Sequence, residues 1–261
     1  MQPYLSVVIP AYTEETRIGA TLDAIYAYLT AQPYTWEILI VLDGPDDNTP
    51  TVVETFAQDK NGVRWIDRKE NRGKGYTVRQ GMLAARGKIR LFTDADNSTD
   101  ISHFEQMKPL FDQGANVVIA SRDDKDVPTA RQAIPQPFHK RLLGNMGNLF
   151  IQIMVVPGIW DTRCGFKAFS AGAAQKVFSV ARMDGWSFDD ECLALARREG
   201  YDIQVVGADW NDAEGTHVTK LDYFKNIFEA VRIRWYLMTG VYKHKPAEKI
   251  DLSTVQVHHN T

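Results

Sequence analysis

Two aspartates, Asp94 and Asp96, follow directly after a short β-rich run over residues 88–93. At the end of a strand, this i, i+2 spacing directs both carboxylates toward one point beyond the carboxyl edge of a sheet. Carboxylate oxygens suit Mg²⁺ and Mn²⁺, and such an ion commonly shares its shell with substrate phosphates. The pair therefore predicts a site for a divalent ion and a phosphorylated ligand, although a solvated acidic turn has the same composition.

Three more polar segments follow predicted strands. They are Pro10-Ala11-Tyr12-Thr13-Glu14-Glu15, Asp43-Gly44-Pro45-Asp46-Asp47 and Asn71-Arg72-Gly73-Lys74-Gly75. A carboxylate at a strand end accepts a base N–H or a ribose hydroxyl, so Tyr12, Glu14 and Asp43 are predicted to recognise a nucleoside. The glycines beside Lys74 allow a close backbone approach, and Lys74 itself can meet a phosphate or a base.

The order of these motifs resembles that of the inverting family-2 glycosyltransferases with the GT-A fold. Two later segments narrow the resemblance to the polyprenyl-phosphate hexosyltransferases, which include the dolichyl-phosphate glucosyl- and mannosyltransferases. These segments are Asp161-Thr162-Arg163-Cys164-Gly165-Phe166-Lys167-Ala168-Phe169 and Trp186-Ser187-Phe188-Asp189-Asp190-Glu191. The resemblance, from about Ser6 to His217, implies transfer of glucose or mannose from UDP-glucose or GDP-mannose to a polyprenyl phosphate.

The resemblance also implies roles for individual residues on the donor side. It puts the nucleotide sugar against Pro10, Ala11, Tyr12, Glu14, Asp43, Lys74, Asp94, Ala95 and Asp96. Asp96 is then the direct ligand of Mg²⁺ or Mn²⁺, and Asp94 shares the metal or contacts the ribose. His217 stands where relatives tend to carry a basic residue, and a neutral imidazole there is a third candidate metal ligand or diphosphate contact.

On the acceptor side, the resemblance implies that Asp161 lies beside the acceptor, with Asp189 as a second catalytic candidate. Arg122 and Arg131 belong to the loop that faces the acceptor in that family, and arginine binds phosphate bidentately. A sugar hydroxyl as acceptor would need one of the two acids as a general base. A phosphate monoester, with a second pKa of about 6, is already a nucleophile at neutral pH.

Composition and charge limit the ligands and the cellular location that can be expected for the chain. The chain has 261 residues, 44% of them hydrophobic, and a formal net charge of −3, so its overall charge does not indicate nucleic-acid binding. Two cysteines, Cys164 and Cys192, predict no disulfide framework, and no apolar run reaches the length of a membrane span. We therefore expect a cytoplasmic protein, peripheral to a membrane through a helix over 138–156 or an apolar stripe over 221–238.

Strand-like and helix-like runs alternate through the first half of the chain. This rhythm predicts an α/β fold with a mostly parallel, Rossmann-like sheet between helices, and ligands beyond the carboxyl ends of its strands. Residues 122–137 are predicted to be a long loop. We expect one GT-A domain over 1–242, with a donor half (1–121) and a more helical acceptor half (122–242). The polar tail over 243–261 is expected to fray.

Three alternatives stay open. A family-2 glycosyltransferase with a soluble sugar or glycan acceptor would share all of the donor motifs. A nucleotidyltransferase is disfavoured because the first loop, residues 10–15, contains no glycine. A non-catalytic nucleotide-binding module is disfavoured by the intact pair of Asp94 and Asp96.

Overall fold

The structure, a computed structural model, describes residues 2–132, 147–210, 220–244, 248, 250 and 255–257. The strands are β1 (Leu5–Ala11), β2 (Trp36–Asp43), β3 (Val63–Arg68), β4 (Ile89–Thr93), β5 (Val117–Ser121), β6 (Arg131–Gln132), β7 (Phe166–Ser170), β8 (Ile203–Gly207), β9 (Asp209–Trp210) and β10 (Val255–Val257). The helices are α1 (Ile18–Thr30), α2 (Thr49–Ala57), α3 (Lys74–Ala84), α4 (Phe104–Asp112), α5 (147–154), α6 (Ala171–Phe178), α7 (Phe188–Arg198), α8 (Lys220–Thr239) and α9 (Val241–His244).

Eight strands form one sheet in the order β10-β3-β2-β1-β4-β7-β5-β8. The strands β1, β2, β3 and β4 pair in parallel, and so do β5 and β8, which confirms the predicted α/β sheet. The strand β7 is inserted antiparallel between β4 and β5. It therefore begins at the edge where those two strands end.

The core lies on both faces of this sheet. Along β1, Val7 and Ile9 pack toward α1, α2 and α4, while Val8 packs toward α3, α6, α7 and α8. Burying a side chain of this size contributes about 1.5–3 kcal/mol relative to leaving it exposed. Because strands apolar on both faces stay in register, their carboxyl ends form a fixed edge for the polar segments.

Three regions differ from the sequence-based expectations. Within the predicted loop, Arg131–Gln132 forms β6 and pairs with β9. The predicted helix over 138–156 is helical at 147–154, and residues 138–146 lie outside the described residues. In the tail, β10 pairs antiparallel with β3, so this part of the segment expected to fray joins the sheet.

In the described part of the chain, no helix combines the length and apolar character needed to cross a bilayer.

Candidate active site

Asp94 and Asp96 lie at the carboxyl edge of the sheet, just after β4. Between them, Ala95 is held by Thr21 of α1, whose hydroxyl donates to the Ala95 carbonyl oxygen at 2.7 Å. One carboxylate oxygen of Asp96 accepts the backbone N–H of Ser98 at 2.9 Å. These bonds fix the turn from both sides, so both acids stay at one edge.

Asp43, at the end of β2, fastens the loop that leads into α3. Its buried carboxylate accepts the backbone N–H groups of Arg72 at 2.7 Å and Gly73 at 2.9 Å, and it also pairs with the guanidinium of Arg68. These contacts position Lys74, the first residue of α3. Asp43 thus has a structural role of its own, and its contact with a nucleoside stays a prediction.

Lys74 reaches from α3 to the acids after β4. Its Nζ lies 2.6 Å from Oδ1 of Asp94 and 5.1 Å from the centroid of the Trp186 ring. Burial lowers the pKa of Lys74, but the carboxylates of Asp94 and Asp189 outweigh this effect and raise it. Lys74 therefore carries its charge at neutral pH, at the edge where the predicted phosphates belong.

Gly75, which follows Lys74, allows another segment of the chain to pack closely against its backbone. A β-carbon on Gly75 would overlap the carbonyl oxygen of Met183, and the Gly75 N–H donates to the Asp184 carbonyl at 2.8 Å. Glu191 holds this segment in turn, because its carboxylate accepts the Met183 N–H at 2.8 Å. The close backbone approach predicted at this glycine is made to the 183–184 segment.

The strand β7 brings the acceptor-side residues to the same edge. Arg122 follows β5, and Asp161 precedes β7 by a short loop. The Arg122 guanidinium donates to both oxygens of Asp161, from Nε at 2.7 Å and from Nη2 at 2.8 Å. Two residues given separate roles from the sequence therefore form one ion pair, in which Asp161 is buried and Arg122 is partly exposed.

Asp126 holds the loop that contains Asp161 through hydrogen bonds. Its carboxylate accepts the N–H of Asp161 at 2.8 Å, the N–H of Trp160 at 2.7 Å and the hydroxyl of Ser121 at 2.7 Å. Burial raises the pKa of Asp161, but the ion pair with Arg122 outweighs burial and lowers that pKa to about 2. Asp161 is thus a weak base at neutral pH.

The acids that open α7 have different partners. Asp189 pairs with Lys167, whose side chain is fully buried, while Asp190 accepts the Thr162 hydroxyl at 2.6 Å. Burial raises the pKa of Asp189, whereas the ammonium groups of Lys167 and Lys74 act in the opposite direction. The Asp189 side chain is only 5% exposed, so an acceptor can reach little of it.

Asp94 and Asp96 fit a divalent ion that is bound together with a diphosphate. The described residues contain no group of three or more His, Cys, Asp or Glu side chains suited to a metal. Mg²⁺ needs only one or two carboxylates, since it keeps several waters and takes further oxygens from substrate phosphates. His217 and the side chain of Arg131 lie outside the described residues.

Two side chains at this edge had no predicted role. The hydrogen bond to Glu14 is the main cause that raises the pKa of Arg17, and Asp96 and Asp94 also contribute. Trp186 is 61% exposed beside Lys74. A single arginine and a single tryptophan carry no spacing signal, so only the tertiary structure identifies them.

Comparison with known proteins decides the family. The model of "Glycosyl transferase family 2" matches residues 6–178. The chain belongs to glycosyltransferase family 2. Its relatives include the dolichyl-phosphate beta-glucosyltransferases of Dictyostelium discoideum (32% identical, covering 93% of this chain and 77% of the relative) and Saccharomyces cerevisiae (34% identical, covering 92% and 77%). The resemblance seen in the motifs is confirmed.

Solved structures support the GT-A fold of this glycosyltransferase. Glucosyl-3-phosphoglycerate synthase from Mycobacterium tuberculosis in complex with UDP aligns with a TM-score of 0.66 at 18% identity, over 89% of this chain and 80% of that one. The same synthase in complex with Mn²⁺, UDP and glucosyl-3-phosphoglycerate aligns with a TM-score of 0.60 at 19% identity, over 91% and 80%. At this level of identity the likeness concerns the fold alone.

Gly165 offers a first test of the site in this glycosyltransferase. A β-carbon on Gly165 would overlap the carboxylate of Asp94, so Gly165→Ala must displace that carboxylate. We expect glycosyl transfer to fall by about 10²-fold, the effect of misplacing a site group by about 1 Å. The matched control is Gly172→Ala, because a β-carbon on Gly172 meets nothing within 4 Å. Equal activity of the two variants would contradict the role of Asp94.

Proposed function

We propose that this glycosyltransferase moves glucose from UDP-glucose to a polyprenyl phosphate of the dolichyl type, with inversion at the anomeric carbon. Dolichyl-phosphate beta-glucosyltransferases match it over more than nine tenths of its length, which favours glucose over mannose. The donor half (1–121) supplies Asp94, Asp96 and Lys74. The acceptor half (122–242) supplies the pair of Arg122 and Asp161.

The proposal rests on the surroundings of the two candidate bases, Asp161 and Asp189. Asp161 is held in its ionised form by Arg122, with a pKa of about 2, and Asp189 is buried against Lys167. A general base works best when its pKa lies near the operating pH. Asp161 is thus a poor base for a sugar hydroxyl, and Asp189, only 5% exposed, is too buried for an acceptor to reach. A phosphate monoester is ionised without help.

The reaction then needs orientation and charge stabilisation. An oxygen of the acceptor phosphate attacks the anomeric carbon while the bond to the β-phosphate of UDP breaks, and UDP leaves with the electron pair. Mg²⁺ or Mn²⁺ held by Asp94 and Asp96 would neutralise the charge that develops on the diphosphate. Lys74 adds a second positive charge on that side.

Arg122 is proposed to orient the attacking phosphate. Burial lowers the pKa of Arg122, but the carboxylate of Asp161 and, more weakly, that of Asp94 raise it. The guanidinium therefore stays charged, and it interacts electrostatically with Asp94 on the donor side. Asp161 fixes the plane of the guanidinium through two hydrogen bonds. In this proposal Asp161 acts through Arg122 rather than as a base.

A transfer assay tests the proposed function. The chain is incubated in detergent with Mn²⁺, a short-chain polyprenyl phosphate and either UDP-glucose or GDP-mannose, and the products are identified by mass spectrometry. We expect glucosyl phosphoryl polyprenol from UDP-glucose. Transfer from GDP-mannose would reassign the donor. Transfer to a free sugar or glycan, with none to the lipid phosphate, would replace the proposal with the soluble-acceptor function.

The acceptor is a lipid, so a membrane contact belongs to the proposal. Five large apolar side chains of α8 are between 44% and 74% exposed. They are Ile227, Phe228, Val231, Trp235 and Met238. Exposed basic residues on the same helix, Lys225, Arg232 and Arg234, match anionic headgroups. The side chains of Leu221 and Phe224, the other predicted members of this stripe, lie outside the described residues.

We expect sedimentation with anionic vesicles that weakens as salt is raised, because salt screens the headgroup attraction. Replacing both Phe228 and Trp235 with serine should reduce binding by at least tenfold, since each exposed side chain loses about 1 kcal/mol or more of apolar burial. Zwitterionic vesicles are the control. Unchanged binding of the double variant would exclude α8 as the contact.

A further inference from the structure

Lys167 is a charged residue inside the core, and neither the motifs nor the mechanism above gives it a role. Its side chain is fully buried. Its Nζ donates to the carbonyl of Cys164 at 2.6 Å, pairs with Oδ1 of Asp189 and lies 5.3 Å from the centroid of the Phe92 ring. A buried ion pair is weak evidence for stability, because apolar side chains of similar size commonly replace one without loss. Stability alone therefore does not account for a charge at this position.

Lys167 ends a row of four side chains whose charges alternate. Asp94 pairs with Lys74 at 2.6 Å, and Asp189 pairs with Lys167. The two pairs adjoin because Gly75, next to Lys74, packs against Phe188, next to Asp189: a β-carbon on Gly75 would lie 2.7 Å from the β-carbon of Phe188. The charge of Asp189 accordingly acts on Lys74 and raises its pKa, together with that of Asp94. Lys74 is thus under the influence of two carboxylates, and Asp189 is under that of two ammonium groups. The outer end of the row is at the donor edge of the sheet, and the inner end is in the core.

This arrangement makes the position of Lys74 depend on Lys167. With Lys167 present, the carboxylate of Asp189 has a cation on its core side, and Lys74 stays on Asp94. Without Lys167, Lys74 would be the remaining ammonium group among those that lower the pKa of the buried Asp189 carboxylate. Such a carboxylate attracts a cation strongly, because leaving it unpaired costs several kcal/mol. Lys74 would then be drawn inward, away from Asp94.

We propose that Lys167 is a positioning residue for donor binding, which acts by holding Asp189 so that Lys74 remains at the carboxyl edge beside Asp94. This inference rests on the proposed function, in that the ligand of Lys74 is the diphosphate of the nucleotide sugar. Lys167 touches no substrate in this role. Its influence travels through two ion pairs, one in the core and one at the site.

Titration calorimetry with UDP and Mn²⁺ on the full chain tests the inference in two backgrounds. Lys167→Met should raise the dissociation constant of UDP about tenfold in the otherwise unchanged chain, within the usual range of coupling between sites. In an Asp189→Asn background the same change should alter it less than twofold, because the carboxylate through which Lys167 acts on Lys74 is gone. A merely structural role would give the same loss in both backgrounds.

A second variant guards against a folding defect. Combining Lys167→Met with Asp189→Asn removes both buried charges, so the chain should fold and Lys74 should stay on Asp94 with nearly normal UDP affinity. Loss of UDP binding in this folded double variant would overturn the inference. So would equal losses from Lys167→Met in both backgrounds, or no loss in either. If the unchanged chain binds neither UDP nor GDP, the proposed function itself falls and the inference falls with it.

Discussion

Replacing Asp96 with asparagine should lower glycosyl transfer in the presence of Mn²⁺ by about 10²–10³-fold, the usual effect of removing one group that stabilises developing charge. The substitution removes the charge of the side chain without removing its hydrogen bond to the backbone. Oδ1 of Asp96 accepts the N–H of Ser98 at 2.9 Å, and the amide oxygen of asparagine can accept the same bond. The turn is therefore retained while the negative charge toward a metal is lost. Turnover and Mn²⁺-dependent UDP binding are the two measurements.

Asp100 provides a matched control four residues away. Its Oδ1 accepts the N–H of Ser102 at 2.8 Å, the same local arrangement as at Asp96, but its side chain lies outside the site. Asp100→Asn should leave both transfer and Mn²⁺-dependent UDP binding within about twofold of the unchanged chain, as expected for a surface substitution. If the two variants behave alike, Asp96 is not a metal ligand.

The common location of the proposed donor residues at one sheet edge could be predicted from the sequence because its signals are local. The acids after β4, Asp43 after β2 and Lys74 at the start of α3 each follow a strand, and parallel strands bring such positions to one edge. Their partners could not be predicted in the same way. Asp43 binds the Arg72 and Gly73 amides some thirty residues away, a choice set by how two loops pack.

The acceptor side depends on one feature that the sequence pattern hid. The strand β7 is short and overlaps the end of the Asp161–Phe169 motif, so its residues give no alternation that distinguishes a strand from a binding segment. Its antiparallel insertion between β4 and β5 is a long-range pairing. That insertion brings Asp161 to Arg122 and Gly165 to Asp94, contacts for which periodicity carries no information.

The adjacent acids Asp189, Asp190 and Glu191 also show what the sequence pattern alone could not predict. Three consecutive acids at the start of α7 suit the helix dipole, and the choice of Asp189 among them as a catalytic candidate had no support from spacing. In the structure Asp189 pairs with Lys167, Asp190 accepts from Thr162, and Glu191 binds the Met183 amide. All three side chains are buried, which depends on the packing of α7 and could not be predicted from three adjacent acids.

Replacing Arg122 with alanine should destabilise the fold by about 3–5 kcal/mol, because it leaves the buried carboxylate of Asp161 without its counter-ion. The acceptor KM should also rise at least tenfold, since a phosphate loses a contact worth about 1.5–3 kcal/mol. UDP affinity should stay within about twofold, because the donor residues are untouched. Urea denaturation, acceptor kinetics and UDP calorimetry measure these three effects separately.

The pH dependence of stability gives an independent check on the same ion pair. Asp161 has a pKa of about 2 in the folded chain, against an ordinary value of 3.8. Because the folded value is the lower one, the pair stabilises the fold above pH 3.8 and this contribution disappears as the pH falls toward 2. The shift corresponds to about 2 kcal/mol. In Arg122→Ala, the pKa of Asp161 loses the guanidinium that chiefly lowers it, so this part of the acid-induced loss should shrink.

A double variant separates folding from acceptor binding. Arg122→Leu together with Asp161→Asn removes both charges from the buried site, and most of the stability should return because no unpaired charge remains. The acceptor KM should stay high, since nothing replaces the guanidinium that orients the phosphate. Recovery of a normal acceptor KM along with stability would show that Arg122 only supports the fold. A loss of UDP affinity in this variant would instead assign Arg122 to the donor side of the site.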